Sequence, residues 1–306
     1  MNPPTRIALF AVTVGLAAGG AALAGAAIDP TDGAVTAAPH SAADAPAAQG
    51  SPHGGGHTSD RSTTAATESA QAPAPGLAIS QDGYTLKVDR TTLDPGRPAR
   101  LTFQILGPDG RPLRDEYERS HERELHLIVV RRDTTGFQHL HPTKDGSGTW
   151  GTPLRLAEPG VYRMYADFTV EGQKRTLAAD LNAPGAFLPA KPVALTRSDR
   201  VAGLDVRLDS TRARAGTESE LTFTVSRNGR PATDLQPYLG ARGHLVALRA
   251  GDLAYLHVHP LEETATQTDQ IRFAATFPTA GRYRLFLQFK TDGAVRTVDY
   301  TVEVPR

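Results

Sequence analysis

From about residue 78 the chain is a succession of short apolar runs separated by turn sequences. In LTFQILGPDGRP, which starts at Leu101, apolar and polar positions alternate until the Gly/Pro/Asp cluster, and LTFTVSRNGRP from Leu221 repeats the pattern. Other breaks fall at KDGSG (144–148) and AGD (250–252), and Thr, Val, Tyr and Phe are plentiful between them. No long stretch sustains a 3.6-residue period. Short runs with a period of two, closely spaced and bounded by turn residues, predict an all-β chain of antiparallel immunoglobulin-like or cupredoxin-like β-sandwiches.

The runs occur twice. ELHLIVVRRDTTGFQHLHP (124–142) aligns without a gap on RGHLVALRAGDLAYLHVHP (242–260), and EPGVYRMYADF (158–168) aligns on TAGRYRLFLQF (279–289). A period of about 120 residues is too long for a solenoid unit and describes a duplicated domain. The expected domains are 78–185 and 196–306, joined by a linker at 186–195 within the proline-bearing stretch NAPGAFLPAKP.

The first 77 residues read differently. Ile7 to Ile28 carry no charge, and Arg6 is the sole charge before them. The segment fits a secretory signal with small-residue cleavage patterns at Ala22-Leu23-Ala24 or Ala24-Gly25-Ala26, and it fits an uncleaved transmembrane helix equally. Either reading places the rest of the chain outside the cytoplasm, secreted or anchored to the membrane by its N-terminal segment. Residues 29–77 are rich in Ala, Pro, Ser, Thr and Gly and poor in large apolar residues, the composition of a disordered tether. His40, His53 and His57 lie in it, where a solvated linker is the plainer reading.

Charge narrows the partners. Lys+Arg and Asp+Glu both number 33, so no basic surface for nucleic acid is expected. The absence of cysteine removes disulfides, thiolate ligands and thiol nucleophiles. There is no G-x-S-x-G, no glycine-rich phosphate loop and no carboxylate repeated beside the histidines, so no enzyme is expected.

Six of the ten histidines form two copies of H-x12-H-x-H-P: His126, His139 and His141, then His244, His257 and His259. HLIVVRR and FQHLH read as paired strands around a tight turn at Asp133–Gly136. With Arg132 opposite Phe137, His139 faces Val130 and His141 faces Ile128, while His126 is the diagonal neighbour of His141 on the same face. The proline that follows ends the strand. Likewise His244, Val246 and Leu248 face His257 and His259.

Three imidazoles per domain suit a divalent transition metal, Cu(II) first and Zn(II) second, since Cys and Met ligands are lacking. Binding of that kind should weaken below about pH 6, where free imidazoles protonate. His121 and Glu124 precede the first copy only. Either could add a ligand, although the run DEYERSHERE reads more simply as solvated charge. The plain alternative for all six histidines is a strand end whose imidazoles hydrogen-bond loop carbonyls, within a non-catalytic structural or adhesive module that contacts a partner protein, such as one of the cell envelope.

The GHLV…LHVHP signature, with ELHLIVVRRDTTGFQHLHP and AGRYRLF, resembles a family of exported proteins common in actinobacteria, with relatives similar to the YtkA-like domain. The resemblance covers about two-thirds of the chain. It implies tandem immunoglobulin-like or cupredoxin-like sandwiches behind one N-terminal hydrophobic segment. Some such proteins are grouped with heavy-metal or copper handling in the envelope, which would make the six histidines ligand candidates. The Met-rich motifs and N-terminal histidine of some copper chaperones are absent here.

Overall fold

The computed structural model describes residues 74–191, 193–209, 213–261 and 268–306. The N-terminal apolar segment, most of the expected tether and His40, His53 and His57 lie outside the described residues. Among the described residues no helix is long and apolar enough to cross a membrane.

The fold is all-β, with two successive antiparallel sandwiches. The first holds β1 (Ser80–Gln81), β2 (Tyr84–Val88), β3 (Pro98–Leu106), β4 (Tyr117–Glu118), β5 (Leu125–Arg131), β6 (Gln138–Leu140), β7 (Thr143–Lys144), β8 (Thr149–Arg155), β9 (Gly160–Val170) and β10 (Gln173–Ala183). The second holds β11 (Ser198–Val201), β12 (Leu204–Leu208), β13 (Glu218–Arg227), β14 (Arg230–Pro231), β15 (Gly243–Arg249), β16 (Tyr255–Leu256), β17 (Val258–Pro260), β18 (Gln270–Thr276), β19 (Gly281–Thr291) and β20 (Ala294–Val304). Sheets of order β1-β2-β3-β8-β7 and β10-β9-β5-β6 face each other in the first, with β4 beside β9. The second repeats this with β11-β12-β13-β18-β17 and β16-β15-β19-β20, and β14 flanks β13.

Alternation decides what enters each core. On β3, Leu101, Phe103 and Ile105 are buried between polar neighbours, as are Leu221, Phe223 and Val225 on β13. β5 departs from this, because every one of its residues is buried. Leu125, Leu127 and Val129 enter the first core, while Ile128 and Val130 point the other way, into an apolar cluster with Val246 and Leu248 of β15. The two sandwiches therefore pack sheet against sheet through corresponding faces.

That interface is nearly self-complementary. Phe137 stacks on Phe286 with centroids 4.2 Å apart, and Tyr165 lies 5.5 Å from Tyr255. Under the repeat alignment Tyr255 is the counterpart of Phe137, and Phe286 that of Tyr165. One aromatic pair is thus the image of the other, the relation found in a twofold dimer interface. Tyr165 Oη also donates to the Leu253 carbonyl at 2.7 Å.

Residues 74–77, which composition assigns to the tether, are held in this interface. Gly76 N donates to Thr176 O, and Tyr255 N donates to Pro75 O across the two sandwiches. Gly76 has φ +72°, and a Cβ there would meet Tyr165 and Tyr255 at 2.8 Å. Only glycine meets both the backbone and the space requirement.

Candidate metal centre

β5 and β6 bring His126 and His139 together, though not in the register expected. Ile128 pairs with His139 and Leu127 with Leu140, two residues away from the Val130–His139 pairing. The turn takes up the difference. Arg131 N bonds Thr135 O, and Thr134 and Gly136 adopt positive φ. The Asp133 carboxylate, itself paired with Arg131 at 2.7 Å, accepts from Thr135 N and Oγ1. A slip of two residues keeps every side chain on its face. It also moves His126 from the diagonal of His141 to a position opposite it.

The three side chains form one tight group. His126, His139 and His141 each offer a ligand nitrogen, all within 4.8 Å of one another. His126 Nδ1 lies 3.0 Å from His139 Nε2. Two further imidazoles adjoin them. His244 of β15 stacks against His126 at 5.2 Å and against His139 at 4.6 Å. His121, in the turn before β5, lies 6.0 Å from His126 and 5.6 Å from His244. Glu124 is engaged elsewhere, in an ion pair with Lys144 at 3.2 Å.

The second copy of the motif does not assemble. Leu248 pairs with Tyr255 and Ala247 with Leu256, and continuing that register would set His244 opposite His259. The chain changes sheet first: Val258–Pro260 pair with β18, and exposed His259 lies opposite Ala274. In the first sandwich the crossover comes later, where Thr143 pairs with Gly151, so His139 and His141 stay beside β5. His257 turns instead to the first sandwich. Its Nδ1 is 3.8 Å from Asp167, and its Nε2 is 3.3 Å from Thr176 Oγ1. Among the described residues the tight histidine group is single rather than one per domain.

A family model described as Domain of unknown function (DUF8832) matches residues 79–185 and, a second time, 199–306. The chain belongs to this family. No curated protein matches it. Among solved structures it is similar to FdeC, an Escherichia coli adhesin, at 16% identity and a TM-score of 0.26, over 74% of this chain and 65% of that one. InvD of Yersinia pseudotuberculosis is similar at 13% identity and 0.24, over 74% and 59%. A DUF4426 family protein of Pseudomonas aeruginosa is similar at 9% identity and 0.28, over 36% and 96%. At these scores the likenesses carry nothing about function.

Proton placement makes the family-domain site chemically specific. His126 Nε2 lies 3.0 Å from the Ser120 carbonyl and His139 Nδ1 lies 2.7 Å from Gln288 Oε1. With the Gln288 amide in this orientation both partners are oxygens that only accept, so both outward ring nitrogens carry the hydrogen. A neutral imidazole has one N–H. His126 Nδ1 and His139 Nε2 therefore face each other as bare lone pairs at 3.0 Å. Two acceptors at that distance repel unless a cation lies between them. An outer N–H fixed on a carbonyl oxygen is also the habit of metal-ligating histidine.

Burial keeps the group neutral. It is the leading cause holding His139 down to about 3 and His141 to about 4, with neighbouring imidazoles adding to it. His126 and His121 are lowered by burial first, and His244 lies well below the ordinary imidazole range for the same reason. His139 and His141 therefore take up protons in more acid conditions than the value near 6 expected for free imidazoles. Sequence reasoning passed over Gln288. The available signal was a polar residue within the apolar run LFLQF of β19; in the fold Gln288 pairs with His244 as Asp167 pairs with His126.

Proposed function

We propose that this protein binds one divalent transition-metal ion at His126, His139 and His141, Cu(II) in preference to Zn(II), and carries or buffers it outside the cytoplasm without catalysing a reaction. The observation that carries this reading is the pair of bare nitrogens 3.0 Å apart, each fixed by an oxygen acceptor behind it. Two nitrogens at that separation, each roughly 2.0–2.1 Å from one ion, subtend about 94°. That is nearer the right angle of tetragonal Cu(II) than the tetrahedral angle of Zn(II). The donor set is all imidazole and neutral, which suits both ions. The uncharged N-terminal run supports the location. No carboxylate stands in the tight group to serve as acid or base.

Calorimetric titration of the full chain with Cu(II) and Zn(II) at neutral pH tests the reading. One tight equivalent is expected, not two. Changing His126, His139 and His141 together to alanine should abolish it, while His259→Ala should leave it intact. Absence of uptake by the unaltered chain would refute metal binding and leave the alternative, a structural or adhesive module that engages a protein partner.

A further inference from the structure

The three-histidine group lies in the first sandwich, but the atoms that finish it come from the second. Gln288, on β19, reaches across the interface to His139. Its amide is also held from behind by two hydroxyls: Nε2 donates to Thr297 Oγ1 at 3.2 Å, and Tyr238 Oη donates to Oε1 at 3.3 Å. His244, on β15, is 9% exposed and lies against both His126 and His139. Its Nε2 is buried with no hydrogen-bond partner, as is the Nε2 of His141. A bare buried nitrogen on a strand face is costly without a partner.

We propose that the second sandwich completes the metal centre: Gln288 Oε1 holds His139 in the tautomer that turns Nε2 to the ion, and His244 supplies a fourth imidazole, so that one ion ties the sandwiches together. This rests on the metal-binding reading above. Gln288 is a positioning residue, because it touches the ligand and not the ion. His244 stands outside the tight group as placed, stacked on two of its rings, so its ring must turn out of that stack to bring Nε2 to the ion. The interface is arranged for such a crossing, since the related pair in the other direction, Asp167 with His257, also spans the two sandwiches. There the strand position of Gln288 is held by a carboxylate. The result is a centre whose ligands and ligand supports come from both repeats, and a bound ion would resist separation of the repeats as well as unfolding of either.

The test compares Cu(II) and Zn(II) binding by the full chain carrying Gln288→Leu, Gln288→Glu, His244→Ala or His126→Ala. Gln288→Leu should weaken binding about 10- to 100-fold, the usual effect of losing the group behind a ligating histidine. Gln288→Glu keeps an oxygen acceptor and should restore affinity, which a purely structural role for Gln288 does not predict. His244→Ala should remove one nitrogen from the superhyperfine pattern of the Cu(II) electron paramagnetic resonance spectrum, and His257→Ala should not. If Gln288→Leu and His244→Ala bind with unchanged affinity and spectrum while His126→Ala abolishes binding, the centre belongs to the first sandwich alone. The inference then falls and the metal reading stands. If the unaltered chain takes up neither ion, both fall.

Discussion

Acid should unfold the metal-free protein earlier than its sandwich cores alone would suggest, and His139 should account for a measurable share. In the fold its imidazole is held to about 3, by burial first and by His126 and His141 second. In the unfolded chain it titrates near 6.5. The folded value is the lower, so below pH 6.5 the unfolded chain binds a proton that the folded chain refuses. Stability then falls by about 1.4 kcal/mol per pH unit for this one group. Between pH 7 and pH 5 the integrated loss is about 2 kcal/mol, a substantial part of the roughly 5–15 kcal/mol that holds a domain folded. The loss continues down to the folded value near 3. His244 contributes with the same sign. Urea unfolding with a chelator present, followed by the fluorescence of buried Trp150 in the first core, reads this directly. The chain with His139→Gln should lose about 2 kcal/mol less than the unaltered chain between the two pH values. Equal losses would refute the burial of a neutral imidazole at this position.

Other outcomes follow from the same geometry. Because burial holds His139 to about 3 and His141 to about 4 and lowers His126 as well, Cu(II) affinity measured by competition with a chelator should fall less between pH 7 and 5.5 than it would for free imidazoles. It should fail as pH approaches the value near 4 at which His141 takes up a proton. Phe286→Ala removes a ring that is 2% exposed and stacked on Phe137, and should cost about 3–5 kcal/mol in a denaturant titration. Gly76→Ala should lower the thermal midpoint and expose the 74–78 segment to protease, because its Cβ would meet two tyrosines at 2.8 Å on a backbone of positive φ.

Much of this architecture is legible in the residues. The alternation through Leu101, Phe103 and Ile105 gives the strand, and the gapless match of 124–142 with 242–260 gives the duplication. The face shared by His126, His139 and His141 is legible too, because it depends only on an even count of residues between them. The pairing partner is not. Asp133, through its bonds to Arg131 and Thr135, closes the turn at Arg131–Thr135, nearer β5 than expected, and slides the register by two. The fate of the second motif is hidden for a different reason. Whether Val258 stays beside β15 or crosses to β18 is decided by contacts far along the chain, with Ala275 and Phe273 on β18. The unbroken apolar run LIVV in β5 was the trace of the interface, since a strand with one solvated face would have alternated. Nothing local in Gln288 points to His139, 149 positions away.

The most direct measurement is anomalous diffraction at the copper edge from crystals of the protein grown with Cu(II). One strong peak is expected, about 2.0–2.1 Å from nitrogens of His126, His139 and His141. No peak within the group, or copper held at exposed His259 instead, would contradict the account.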